Sequence, residues 1–282
     1  MSLRSSRRRS LPLMVLAVIT VLVVAVLTLG WSASADPATR AAARHHPPKP
    51  TIVLVHGAFA DASGWNRVSA RLQKAGYTTY APPNTLRGPL TDSEYLRSFL
   101  STIDGPIVLV GHSYGGALIT NASTGNPNVK ALVYIAAYAL DEGESVLEAN
   151  ELGGGTTELA ANLVVRPYPG APAGDGDAYI DPAAFRRLFA QDLSKKETRV
   201  MAAAQRPAAL SGLVTPSGVP GWKTIPSYYL VASQDRTIPP AAERAMAKRA
   251  NAKTIEIRSS HVAMMSHPEA TTKLILKAAR SR

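Results

Sequence analysis

The chain has 282 residues, 46% hydrophobic and 18% charged, a globular composition that fits one large domain or a domain with an insertion. Its formal net charge is +11, but Arg4, Arg7, Arg8, Arg9, Arg40, Arg44 and Lys49 against Asp36 place +6 of it in the first 50 residues, and the rest is scattered without a basic run. Nucleic-acid binders gather Lys and Arg on one face or arm, so no nucleic-acid partner is expected. The absence of cysteine excludes disulfides, thiol catalysis and Cys-ligated zinc. The histidines His45, His46, His56, His112, His261 and His267 form no ligand pattern, so neither metal nor cofactor is expected.

At the amino end, the basic "RSSRRRS" is followed by the apolar "LPLMVLAVITVLVVAVLTLG" and by Ala33-Ser34-Ala35. Residues 1–35 read as an export signal cleaved before Asp36. Arg8-Arg9-Ser10-Leu11 resembles the twin-arginine form, with the Sec route as the other option. An uncleaved membrane anchor through residues 11–30 is the alternative, since that stretch is long enough to span a bilayer. Either way the body of the protein is expected to be secreted or extracytoplasmic. Residues 36–50, rich in Pro and Ala, read as a linker.

From Thr51 strands and helices alternate. "TIVLV" reads as a buried strand and "HGAFADASG" as a loop; Trp65, Val68, Leu72 and Ala75 mark a helix that Gly76 ends. "YTTYAPP" is a strand running into a loop. Thr91-Asp92-Ser93-Glu94 fits a capping box ahead of a helix with Tyr95, Leu96, Phe99, Leu100 and Ile103 on its apolar face. "PIVLVG" and "KALVYIAA" are strands, with a helix opened by Ser113 between them. The alternation stops over 141–221, a Gly- and Pro-interrupted block with a helix near "DPAAFRRLFAQDL", where Asp181 caps and Pro182 takes the first position. It resumes with the strand "PSYYLVAS", a helix near "PPAAERAMAKRA", the strand "KTIEIRS" and the helix "PEATTKLILKAA". Near-continuous apolar strands alternating with helices predict an α/β fold with a parallel sheet covered on both faces. The core is expected over 51–140 and 222–282, with 141–221 inserted as a cap over the carboxyl edge of the sheet.

In such sheets active groups lie beyond the carboxyl ends of the strands. Three of those ends supply Ser113, Asp235 and His261, in that order. Gly111-His112-Ser113-Tyr114-Gly115 is a G-x-S-x-G in strand–turn–helix context, which predicts a nucleophile on a strained turn. A serine hydroxyl needs a base, for which His261 is the candidate, and the base needs an orienting acid, for which Asp235 is placed. Asp141, at the end of the preceding strand, is the alternative acid, and His267 the alternative base; Ser266 and Glu269 form a capping-box pattern that gives His267 a helix-start role instead. An oxyanion formed on attack would be held by the backbone N–H groups of Tyr114 and Ala58. His56 and His112 are expected to order loops around the site, and Trp65, Tyr228 and Tyr229 to belong to the core.

The stretches "VLVHGAF", "GHSYGGALI", "SQDRTIPP" and "SSHVAMMSHP", in this order over about 51–280, resemble a bacterial branch of the α/β-hydrolases close to the plant methylesterases and hydroxynitrile lyases. The resemblance implies an α/β-hydrolase fold. Too little chain precedes Thr51 for two leading strands, so about six core strands are expected. It also implies a serine carboxylesterase, and the Ala, Leu and Val content of the expected cap points to small to medium apolar esters. In the lyases the resemblance suggests a lysine after the catalytic histidine and a hydroxyl residue in the oxyanion loop; here Val262 follows His261, and Ala58 and Phe59 follow His56-Gly57. A lyase and a non-catalytic ligand-binding protein on the same scaffold are the alternatives.

Overall fold

The computed structural model describes residues 48–281. The export signal, the alternative anchor and nearly all of the linker fall outside them. No helix among the described residues is long and apolar enough to cross a membrane.

The chain runs through β1 (Thr51–Val55), α1 (Asn66–Lys74), β2 (Thr79–Tyr80), α2 (Pro89–Leu100), β3 (Ile107–Ser113), α3 (Tyr114–Ala122) and β4 (Val129–Ala137). An inserted stretch holds α4 (Val146–Ala149), β5 (Leu163–Arg166), β6 (Asp177–Ile180), α5 (Pro182–Phe189), α6 (Lys195–Ala203), β7 (Ala208–Ala209) and α7 (Leu210–Val214). The chain then completes β8 (Ser227–Ala232), α8 (Pro240–Arg249), β9 (Lys253–Ile257), α9 (Ala263–Ser266) and α10 (Pro268–Arg280).

Six strands form one sheet in the order β2-β1-β3-β4-β8-β9, and every pairing in it is parallel. This is the α/β-hydrolase fold with the six core strands expected. The central strands β3 and β8 are buried at every position, which explains their unbroken apolar runs. The edges differ: β2 has two residues, and β9 carries charge on exposed positions, both of which discourage edge pairing. The inserted stretch contributes nothing to this sheet. It builds its own antiparallel sheet, β5-β6-β7, whose turn is tied down by Asp175 accepting from Gly176 N, Ser211 N, Ser211 Oγ and Tyr168 Oη.

The sheet order places the site. After β1 the chain goes to one side for β2 and returns to the other for β3, so β1 and β3 flank the topological switch point, where ligand crevices open. Val55 pairs with Gly111, setting the loop after β1 beside the end of β3. Ala232 pairs with Ile257, setting the loops after β8 and β9 side by side.

Two helix starts differ from the sequence reading. α2 begins at Pro89, before the Thr91–Glu94 box, because Asp92 is buried and committed to tertiary partners. The Ser266–Glu269 box does not form either: His267 is the N-cap of α10 without a side-chain cap bond, while Glu269 pairs with Arg71. The α5 start is as read, with Asp181 accepting from Ala183 N and Pro182 at the first position.

Candidate active site

Ser113 is both the last residue of β3 and the N-cap of α3, so the chain turns from strand to helix with no loop. Its φ of 53° and ψ of −127° lie where L-residues are rarely found. The surrounding backbones approach so closely that only glycine fits. A Cβ on Gly111 would stand 2.6 Å from Gly115 O, one on Gly115 2.5 Å from Val55 O, and one on Gly57 2.6 Å from Ser113 Cβ. The loop after β1 therefore lies directly against the serine.

Asp235 and His261 meet. Asp235 Oδ1 accepts from Thr237 N at 2.6 Å and Ile238 N at 3.0 Å, which fixes the carboxylate, and its Oδ2 lies 2.5 Å from His261 Nδ1. Both side chains are sealed from solvent. His261 Nε2 is buried and unpartnered among the described residues, so Ser113 Oγ is not hydrogen-bonded to it. The two rival residues lie elsewhere. Asp141 is half-buried and paired with Lys223 at 2.9 Å, and His267 Nδ1 lies 3.0 Å from Ser266 Oγ.

His112 and His56 are wedges in the surrounding loops. His112 Nε2 donates to His261 O at 3.0 Å, and the two rings lie 4.6 Å apart. Burial first, then the neighbouring His261, push His112 well below the ordinary histidine range, so it stays neutral. His56 is also lowered by burial; its Nδ1 donates to Gly57 O at 2.9 Å and its Nε2 accepts from Asn84 N at 3.3 Å. Trp65, Tyr228 and Tyr229 are core residues.

The loop after β1 is shaped by Phe59, whose φ is 61° and whose N–H donates to Arg206 O at 2.9 Å. Among the described residues, Ala58 N–H and Tyr114 N–H have no backbone acceptor. Tyr114 is the first residue of α3, at the positive end of the helix dipole. Its phenol donates to Asp92 Oδ2 at 2.7 Å, and burial, then the Asp92 charge, push it well above the ordinary tyrosine range. Asp92 also accepts from Thr85 Oγ1 and, at 3.1 Å, from Arg87 N.

Four site neighbours escaped the sequence reading: Asp92, Phe189, Asp192 and Glu243. Phe189 packs its ring 5.0 Å from that of His261 and 6.3 Å from that of His112. Asp192 Oδ2 accepts from Ser260 N at 2.8 Å, and Leu188 O accepts from Thr237 Oγ1 at 3.0 Å, so the end of α5 and the turn after it tie down both loops that carry Asp235 and His261. The only available signal was that Phe189 and Asp192 fall in the stretch "DPAAFRRLFAQDL" inside the inserted block. A cavity of about 110 Å³, lined by Phe59, Ala60, Met201, Val262, Met264 and Met265 among others, adjoins the residues next to Ala58 and His261. The arrangement places a hydroxyl on a strained turn, an imidazole held by a carboxylate, and two backbone N–H groups at one end of the sheet, the parts needed for attack on a carbonyl.

Comparison with known proteins agrees with the fold. A family model described as the alpha/beta hydrolase family matches residues 52–274. The alpha/beta hydrolase nvfD of Aspergillus novofumigatus is 26% identical over 253 residues, covering 82% of this chain and 97% of its own. Methylesterase 17 of Arabidopsis thaliana is 26% identical over 260 residues, covering 82% and 92%. The crystal structure of polyneuridine aldehyde esterase superposes with a TM-score of 0.71 at 21% identity, covering 82% of this chain and 99% of that one.

Proposed function

We propose, from the premise that this chain belongs to the alpha/beta hydrolase family, that it is an exported serine hydrolase acting on carboxylic esters with small to medium apolar groups. The observation that carries this reading is the strained Ser113 at the β3–α3 junction, beside a His261 whose Nδ1 is held by Asp235. In the proposed reaction Ser113 Oγ attacks the ester carbonyl while His261 Nε2 takes its proton. The C–O bond to the alcohol then breaks, and His261 returns the proton to the departing oxygen. The Ala58 and Tyr114 N–H groups stabilise the oxyanion, and losing one such donor typically costs a factor of about 100–1000 in turnover. Water, deprotonated by His261, releases the acid from the acyl-enzyme and restores the serine.

Residues 141–221 act in this proposal as a cap, supported by the packing of Phe189 over His261 and His112. The apolar cavity beside Phe59 and Val262 supports an apolar acyl or alcohol group. Export rests on the basic and apolar pattern of residues 1–35. The esterase names of Methylesterase 17 and polyneuridine aldehyde esterase point the same way.

A panel of p-nitrophenyl esters of increasing acyl length, run beside a cyanohydrin such as mandelonitrile, tests the reading. Saturable ester turnover that falls with long acyl chains, with no cyanide release, is the expected result. Cyanide release without ester turnover would assign a lyase instead, and inactivity on both would leave a binding protein.

A further inference from the structure

Behind Asp235 stands a second carboxyl group. Glu243, in the first turn of α8, is completely buried. Its Oε2 accepts from Ala232 N at 3.0 Å, its carboxyl is in hydrogen-bonding contact with Asp235, and its Oε1 receives no donor from any described residue. Two carboxyl groups in contact and shielded from water cannot both be ionised, so one of them keeps a proton. Asp235 accepts three hydrogen bonds, from Thr237 N, Ile238 N and His261 Nδ1. Glu243 accepts one. The proton therefore belongs on Glu243, where it converts the orphaned Oε1 from an unsatisfied acceptor into a donor.

The other groups facing this pair are two phenols and one guanidinium. Burial, then Asp235, push the Glu243 carboxyl well above the ordinary carboxylate range. The phenols of Tyr229, on β8, and Tyr138, just after β4, are buried nearby and raised mainly by burial, with Glu243 and Asp235 adding to it. Arg244, the next residue on α8, favours a charged Glu243, but its guanidinium is turned outward onto Glu256, with Nε–Oε2 at 2.9 Å and Nη2–Oε1 at 2.6 Å.

We propose that Glu243 is a positioning residue of this site: its carboxyl O–H donates to Asp235 and keeps that carboxylate aimed at His261 Nδ1. The acid of the site is then a Glu–Asp pair that shares one proton and carries one negative charge. The inference rests on the hydrolytic reading of Ser113, His261 and Asp235.

Wild type, Glu243→Gln and Glu243→Leu are compared by kcat and KM on a p-nitrophenyl ester across pH, and by Tm across the same pH range. Glu243→Leu removes the donor and is expected to lower kcat by about 10–100-fold with little change in KM, the kinetic equivalent of one hydrogen bond to a charged group. Glu243→Gln restores a donor and recovers most of that loss. Wild type also loses kcat at alkaline pH as Glu243 ionises, and the Gln variant lacks that limb.

Stability supplies a readout independent of turnover. A glutamic acid whose folded pKa is raised contributes stability below its unfolded pKa of about 4.3 and loses it as pH rises toward the folded value. The Tm of Glu243→Gln minus that of wild type should therefore become more positive with pH, by about 3 °C per pH unit. A gap that stays flat or narrows as pH rises overturns the proposal, because Glu243 would then be charged. Equal kcat in the Leu and Gln variants also overturns it, because no positioning would be at work. Wild type that hydrolyses no ester but shows the widening Tm gap overturns the reaction assigned to Ser113 and upholds the shared proton.

Discussion

Replacing Ser113 with alanine lowers kcat on a short p-nitrophenyl ester by roughly 10⁵–10⁶-fold, the loss seen when a serine nucleophile is removed. The change is clean. Alanine keeps the Cβ that lies against Gly57 and the positive φ that the glycines around the turn already accommodate. Thermal unfolding should move by no more than a few degrees, so the lost turnover cannot be blamed on a lost fold. His261→Ala should cost about as much alone, and the double variant no more than either single one, because nucleophile and base act as a unit. His261→Ala is the less clean probe: it also empties the space between His112 and Phe189 and removes a buried partner of Asp235. Additive losses in the double variant, or retained turnover in Ser113→Ala, would sink the assignment of these roles.

The second large effect is expected from Asp235→Asn, a loss of about 10⁴-fold in kcat with the fold intact. Asp235 Oδ2 accepts from His261 Nδ1–H, and in the proposed reaction Nε2 is the atom that takes the proton from Ser113. An amide at this position can turn its NH₂ toward Nδ1. The imidazole proton then moves to Nε2, and the base presents a donor where an acceptor is needed. The asparagine oxygen still accepts from Thr237 N and Ile238 N, so the turn is kept. Steady-state kinetics with a Tm control checks this. A loss below tenfold would mean that Asp235 does not orient the base.

The parts of the site that sequence revealed are those whose chemistry is local. G-x-S-x-G declares a tight turn because each of its glycines faces a backbone atom too close for a Cβ. Asp235 and His261 could be expected at one edge because a parallel sheet gathers its strand ends there, and these two residues, far apart in sequence, do meet. The start of α5 was readable from Asp181-Pro182 for the same local reason.

What sequence could not reveal depends on tertiary burial. Asp92 sits in a convincing capping-box pattern, yet its carboxylate is spent on the Tyr114 phenol and on Arg87 N, and Pro89 starts the helix instead. Glu269 completes a second such pattern but pairs with Arg71 across the surface. Glu243 lies in "PPAAERAMAKRA" among charged neighbours at ordinary helical spacing, where a solvated carboxylate is the default. Only the packing of α8 against the end of β8 shows that it faces inward, onto Asp235.

Reaction of the protein with a fluorophosphonate, followed by peptide mapping, tests the central claim most directly. The reagent phosphonylates a serine only where a base and an oxyanion pocket activate it. The account predicts one adduct per chain, on Ser113, absent from Ser113→Ala and formed more slowly in Asp235→Asn. No adduct on a folded protein, or an adduct on another serine, would contradict it.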